Sequence, residues 1–146
     1  MKVLSIFLFL IASLYSCQNC SDIACFSPPQ PFNFNLVEDN KNIFESRFRR
    51  ADVRVIDNNT GASKAYDFEP YESGHLIIIN TIGWNDDTEL VDYSIEIASD
   101  TFNINFTVLS ENISQDCCNF TRFSDFEVTG LPFDTDNREI TTVVLD

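Results

Sequence analysis

Val91-Asp92-Tyr93-Ser94-Ile95-Glu96-Ile97 and, after a short break, Phe102-Asn103-Ile104-Asn105-Phe106-Thr107-Val108 decide how this chain folds. In both runs apolar and polar side chains alternate strictly, which is the period of a strand with one buried face. Ser99-Asp100 between them is turn chemistry, so the two runs read as an antiparallel hairpin. Working outward, Phe32, Phe34 and Leu36 alternate with Asn33 and Asn35, and Val53 and Val55 flank Arg54. Asp57-Asn58-Asn59-Thr60-Gly61 is a turn cluster, and Tyr66 and Phe68 mark a strand returning from it. Ser73-Gly74 predicts another turn. Leu76-Ile77-Ile78-Ile79 is continuously apolar, as expected of a central strand covered on both sides. Phe120, Phe126 and Val128 belong to a strand over 118–128, Gly130-Leu131-Pro132 interrupts the chain, and Ile140 to Leu145 forms a β-branched closing strand.

The expected fold is all-β: an antiparallel β-sandwich of about seven or eight strands with Greek-key, immunoglobulin-like architecture, and a small barrel as the alternative. No long amphipathic helix, repeat or low-complexity tract is legible. Fourteen Phe residues supply a large apolar core.

The N-terminus reads as an address. Lys2 provides a positive start, Val3 to Tyr15 a nearly unbroken apolar run, and Leu14-Tyr15-Ser16-Cys17 a lipobox cleaved before Cys17. The run is shorter than the roughly 20 residues that span a bilayer. Residues 1–16 are thus expected to be a lipoprotein signal peptide, 17–31 a lipidated cysteine and tether, and 32–146 the β-sandwich domain. Palmitate-type acyl chains on Cys17 contribute roughly 0.8 kcal/mol per buried CH₂ and make the membrane a partner. By resemblance to bacterial lipoprotein sorting rules, Gln18 rather than Asp after the cysteine does not retain the chain in the inner membrane, so the outer membrane is expected, on its periplasmic or cell-surface side. The competing reading is an ordinary secretory signal with Cys17 in a disulfide. Pro28-Pro29-Gln30-Pro31 stiffens the end of the tether.

Five cysteines become four once Cys17 carries lipid. An even number in an exported chain predicts two disulfides among Cys20, Cys25, Cys117 and Cys118. A bridge between the neighbours Cys117 and Cys118 is strained, so both are expected to bond back to Cys20 and Cys25, in either pairing. A bridge from Cys25 closes a loop of about 92 residues, for which chain entropy gives roughly 4–5 kcal/mol. Zinc ligands are usually spaced two to four residues apart within a pair, which the adjacent cysteines do not match.

Nine Lys and Arg against 23 Asp and Glu give a formal net charge of −14. Such a surface repels nucleic acid and anionic headgroups. His75, the single histidine, sits in no Ser/His/Asp or Cys/His pattern. Paired carboxylates run glycoside hydrolysis, but any chain this acidic offers such pairs. No catalytic motif is present, and the chain reads as a non-enzyme without a required cofactor. Two acidic loops are calcium candidates: Asn85-Asp86-Asp87, and Asp134-Thr135-Asp136-Asn137, where Asp134 and Asp136 are the metal ligands. Neither carries the glycine and distal glutamate of an EF-hand. Trp84, beside Asp86 and Asp87, is either a cap on the core or an exposed platform for a sugar or partner. Four N-x-S/T sequons, at Asn58, Asn105, Asn112 and Asn119, matter only in a eukaryotic secretory route.

Five segments occur in a fixed order: Ala24-Cys25-Phe26-Ser27-Pro28-Pro29, Phe32-Asn33-Phe34, Asn42-Ile43-Phe44, Ile82-Gly83-Trp84 and Asp116-Cys117-Cys118. Together the set resembles small lipoproteins of unknown function from Bacteroidota, especially flavobacteria. The Asn-Gly turn expected after Ile43-Phe44 is replaced here by Glu45-Ser46-Arg47. The resemblance implies an exported β-sandwich lipoprotein with paired disulfides and implies no activity. The expected function is therefore an outer-membrane-anchored lipoprotein with a structural, adhesive or interaction role toward an unknown protein or glycan. The alternative is a carbohydrate- or calcium-dependent binding module.

Overall fold

The hairpin that carries the alternation forms the middle of one sheet. In the computed structural model, which describes residues 27–85, 87–98, 101–115 and 118–145, β7 (Glu89–Ile97) pairs with β8 (Phe102–Gln115) from Ile97↔Phe102 to Glu89↔Ser110. The inward residues Ile95, Ile97, Ile104, Phe106 and Val108 are wholly buried, as the alternation predicts. On one side of the hairpin lie β3 (Val53–Asp57) and the short β4 (Ser63–Lys64), and on the other β9 (Cys118–Thr129). The sheet order is β4-β3-β7-β8-β9.

The second sheet is built from β1 (Phe32–Glu38), β2 (Lys41–Asn42), β5 (Asp67–Tyr71), β6 (Gly74–Ile79), β10 (Phe133–Thr135) and β11 (Ile140–Val144). Its order is β10-β11-β1-β6-β5, with β2 attached to β1. Phe34, Leu36, Ile77, Ile79 and Val143 face the first sheet, and the Phe34 and Phe106 rings meet at 4.9 Å across the interior. Each such side chain contributes roughly 1.5–3 kcal/mol by leaving water. The molecule is thus an all-β sandwich, and no helix among the described residues is long and apolar enough to cross a membrane.

Four details depart from the sequence reading. First, β1 and β11 pair in parallel, from Asn33↔Ile140 to Val37↔Val144, within an otherwise antiparallel arrangement. Second, the strand that returns on β3 is only Ser63–Lys64. Tyr66 packs its hydroxyl 2.9 Å from Arg50 O and 3.1 Å from Val53 O, and Phe68 already belongs to the other sheet. Third, the turn before β6 is Glu72-Ser73, with Glu72 at φ 51°, and Gly74 already pairs with Tyr71. Gly74 lies flush against the Asn42 side chain, where a Cβ would come 2.7 Å from Asn42 Cβ. Fourth, β6 is central, but Ile78 on its outer side is only half-buried.

Two devices shape the surface. Asp39 and Asn40, at φ 51° and 61°, make the tight turn between β1 and β2. That turn delivers Asn42, whose Nδ2 donates to Asn35 Oδ1 and His75 O, each at 2.8 Å, while its Oδ1 accepts from Phe44 N. On β9, Asp125 at φ 53° opens a bulge, so that Thr107 pairs with Glu127 but Leu109 with Ser124. The bulge inverts the side-chain parity, so Phe123 and Phe126 both pack on the core.

Candidate functional site

The segment from Asn80 to Thr88 joins the two sheets and carries the most exposed aromatic ring on the described surface. Ile82 is buried and anchors it. Gly83 follows at φ +83°, because the backbone must pass close over β9: a Cβ there would lie 2.7 Å from both Phe123 Cζ and Thr121 Cγ2. Thr121 Oγ1 donates to Gly83 O at 2.6 Å. Trp84 then emerges at 55% exposure, and its indole N–H donates back to Asn80 O at 2.7 Å. Asn80 in turn donates to Asp67 Oδ2 at 2.8 Å, and Asn85 Nδ2 donates to both Glu89 oxygens at 3.1 and 3.0 Å. Hydrogen bonds thus tie the loop at Asn80, Gly83, Trp84 and Asn85.

Two clefts flank this loop and share Thr81. The apolar one, about 560 Å³, is walled by Trp84, Ile78 and the Pro28, Pro29 and Pro31 side chains. Pro28, Pro29 and Pro31 therefore share the lining of one cleft with the loop. The polar cleft, about 320 Å³, is lined by Asn59, Thr60, Lys64, Asn85, Glu89 and Tyr93 among others, with Leu90 exposed at its edge. Its floor is an ion pair: Lys64 Nζ lies 3.0 Å from Asp57 Oδ2 and 5.4 Å from the centre of the Tyr93 ring. Burial pushes the Asp57 carboxyl up, yet hydrogen bonds from Lys64, Thr60 and Asn59 outweigh it and hold the group below its ordinary value. The same bond with Asp57 raises the Lys64 ammonium. Burial raises the Tyr93 phenol. Lys64 therefore stays a fixed cation inside a strongly acidic molecule. Thr81 Oγ1 is buried and has no hydrogen-bond partner among the described residues.

The other candidates are dispersed. Asp87 is exposed beside the loop, and Asp86 lies outside the described residues. Asp136 is engaged by its own turn: Oδ1 accepts from the backbone N–H groups of Arg138 and Ile140 at 2.8 and 3.0 Å, and Oδ2 from Arg138 Nε at 3.1 Å. These bonds, led by that from Ile140, lower its carboxyl. Asp134 is exposed on β10. Among the described residues no group of three or more His, Cys, Asp or Glu side chains lies close enough to hold a metal ion. His75 stacks on Phe68 with centroids 4.5 Å apart, and its Nδ1 is buried with no hydrogen-bond partner among the described residues. Cys118 is disulfide-bonded. Cys17, Cys20, Cys25 and Cys117, with the whole expected signal peptide, lie outside the described residues.

Sequence reading missed Asn59, Lys64 and Thr81, because their convergence depends on β3 and β7 pairing across a long interval. It also missed a smaller apolar cavity of about 290 Å³ lined by Phe32, Phe123 and Phe126, whose rims are Gln30 and Glu139. The three-residue spacing of Phe120, Phe123 and Phe126, foreign to an unbroken strand, was the available signal for it. No family model, curated protein or solved structure matches the chain.

Proposed function

We propose that this chain is an exported lipoprotein, anchored in the outer membrane by lipid on Cys17, whose sandwich is a non-enzymatic interaction module. The observation that supports the reading is Trp84, 55% exposed on a loop flanked by two clefts, with its indole N–H bonded to Asn80 O. Aromatic rings that stay partly exposed, as this one does, are frequent anchors in binding surfaces. The lipobox at Leu14-Tyr15-Ser16-Cys17 supports the anchor. The even count of the remaining cysteines supports two bridges joining Cys20 and Cys25 to Cys117 and Cys118. The resemblance to Bacteroidota lipoproteins supports the same location. A protein or glycan outside the membrane is the partner.

Two measurements test this. Mass spectrometry of the membrane-extracted protein should find acyl chains on Cys17, and an unmodified thiol there refutes the anchor. Cross-linking of the displayed full-length protein should capture the same partner from wild type and not from Trp84→Ala, with the fold unchanged by circular dichroism. Capture that is indifferent to Trp84→Ala refutes the interaction surface.

A further inference from the structure

The two sheets part along one edge of the sandwich, and the opening between them is an apolar cavity with a single charge at its mouth. We infer that this cavity binds a small apolar cation, one aromatic or alkyl ring joined by a short arm to an ammonium group, with the Glu139 carboxylate as its counter-charge. The site is additional to the interaction surface proposed above and takes nothing from Trp84.

Three features converge. The first is a floor of aromatic rings. β9 ends one sheet, while β10 and β11 end the other beside β1. Phe123 and Phe126 come from β9, and Phe32 from β1. Phe32 meets Phe123 edge-on at 4.9 Å and stacks on Phe126 at 5.6 Å. All three pack on the core and line the cavity of about 290 Å³. That volume lies at the small end of ligand sites and suits one ring with a short arm rather than an extended chain. The electron-rich faces of such rings also attract a cation.

The second feature is the mouth. Thr135 and Thr141 in the wall hydrogen-bond to each other at 3.2 Å. Glu139 is the one charged side chain among the described residues of the lining. Its Oε1 accepts from Gln30 Nε2 at 3.1 Å, and no donor among the described residues meets its Oε2. Arg138, the adjacent cation, is committed elsewhere: its Nε donates to Asp136 Oδ2 and its Nη2 to Tyr71 Oη at 2.9 Å. The backbone of Glu139 is held on both sides. Its N–H donates to Asp136 O at 3.0 Å, and its carbonyl accepts from Asn33 Nδ2 at 3.5 Å. A placed carboxylate with one open oxygen, beside apolar rings, matches a ligand of the same two parts. The ligand's ring leaves water, and its ammonium gives one N–H to Oε2 while the other donors stay in solvent.

The third feature is the field of the whole molecule. A net charge of −14 draws cations and repels apolar acids such as fatty or aryl carboxylates.

Three probes of nearly one shape separate charge from apolar burial: 2-phenylethylamine, 2-phenylethanol and 3-phenylpropionate. Each is titrated into the full-length protein, and the backbone amide resonances of Thr135, Glu139 and Thr141 report the site by NMR. The amine should shift them saturably at millimolar concentration. The alcohol should bind about fivefold more weakly, the scale of one solvent-accessible ion pair, and the acid weakest of all. Glu139→Gln keeps an acceptor for Gln30 and should bring the amine down to the affinity of the alcohol, whose own binding stays unchanged. Glu69→Gln, an exposed charge on β5 at the opposite edge of the sheet, should leave all three affinities as they are. Equal binding of amine and alcohol would make the cavity a site for any small hydrophobe and overturn the inference. Tighter binding of the acid, amine binding indifferent to Glu139→Gln, or no saturable shift at these three amides overturns it as well.

Discussion

Gly83→Ala is the substitution most informative about how the Trp84 loop is held. Its cost has two separable parts. Gly83 lies at φ +83°, where an L-residue costs roughly 1–2 kcal/mol. The new methyl would also come within 2.7 Å of Phe123 Cζ and Thr121 Cγ2. Neither neighbour yields freely: Phe123 is wedged edge-on against Phe32 at 4.9 Å, and Thr121 is held by its bond to Gly83 O. Overpacking of this kind costs about 1–3 kcal/mol. The expected total is thus about 2–5 kcal/mol. Gly61→Ala is the matched control, because Gly61 sits at φ +71° with nothing within 4 Å of its would-be Cβ. It should show the conformational part alone, roughly 1–2 kcal/mol. Urea unfolding of both variants, with unchanged m-values, measures the difference. The reasoning fails if Gly83→Ala costs no more than Gly61→Ala, since the close approach to β9 would then contribute nothing.

Three further outcomes follow from the same structure. Phe106→Ala removes a fully buried ring in contact with Phe34, Tyr93 and Phe126 and should cost about 3–5 kcal/mol by chemical denaturation. Asp57→Asn should cost about 2 kcal/mol near neutral pH, since it removes the charge that partners Lys64. Because the Asp57 carboxyl is lowered in the fold, its contribution is complete above the ordinary value of 3.8 and is lost as pH falls through the lowered one, so the gap between wild type and variant should close in acid; a gap that widens there refutes the assignment. Gly74→Ala should destabilise in the wild-type background and much less in Asn42→Gly, where the obstructing side chain is gone; thermal melts of the two single variants and the double variant read this coupling, and simple additivity would refute the contact.

The parts of the fold that were legible are those with one buried face and a near neighbour. Val91 to Val108 announces its own pairing, because alternation fixes which side is buried and a short turn fixes the partner. The parallel pairing of Phe32–Glu38 with Ile140–Val144 left no local trace: it joins segments separated by almost the whole domain, and nothing in either run prefers that neighbour. The fate of Tyr66 and Phe68 was hidden for a related reason. A return strand after Asp57–Gly61 is the local expectation, but the chain spends only Ser63–Lys64 there and crosses to the other sheet, where Phe68 covers Phe44 at 5.0 Å.

The candidate site was half legible, and the boundary is physical. Trp84 and its polar followers stand out because an aromatic after glycine in a polar stretch is unusual, but composition cannot say whether such a ring points inward or outward. What turns it outward lies elsewhere in the chain. The Asp125 bulge rotates Phe123 to the interior, Phe123 and Thr121 leave room at position 83 only for glycine, and that close approach fixes the direction in which residue 84 departs. A residue with positive φ in the middle of a strand is thus coupled to the exposure of a tryptophan some forty positions earlier. Asp125→Gly, which keeps the left-handed conformation, should leave Trp84 emission unchanged, whereas deletion of Asp125, which restores an unbroken register, should turn Phe123 out of the core and alter the setting of Trp84. Identical Trp84 emission and quencher accessibility in the deletion variant would show that the loop holds its ring without help from the bulge.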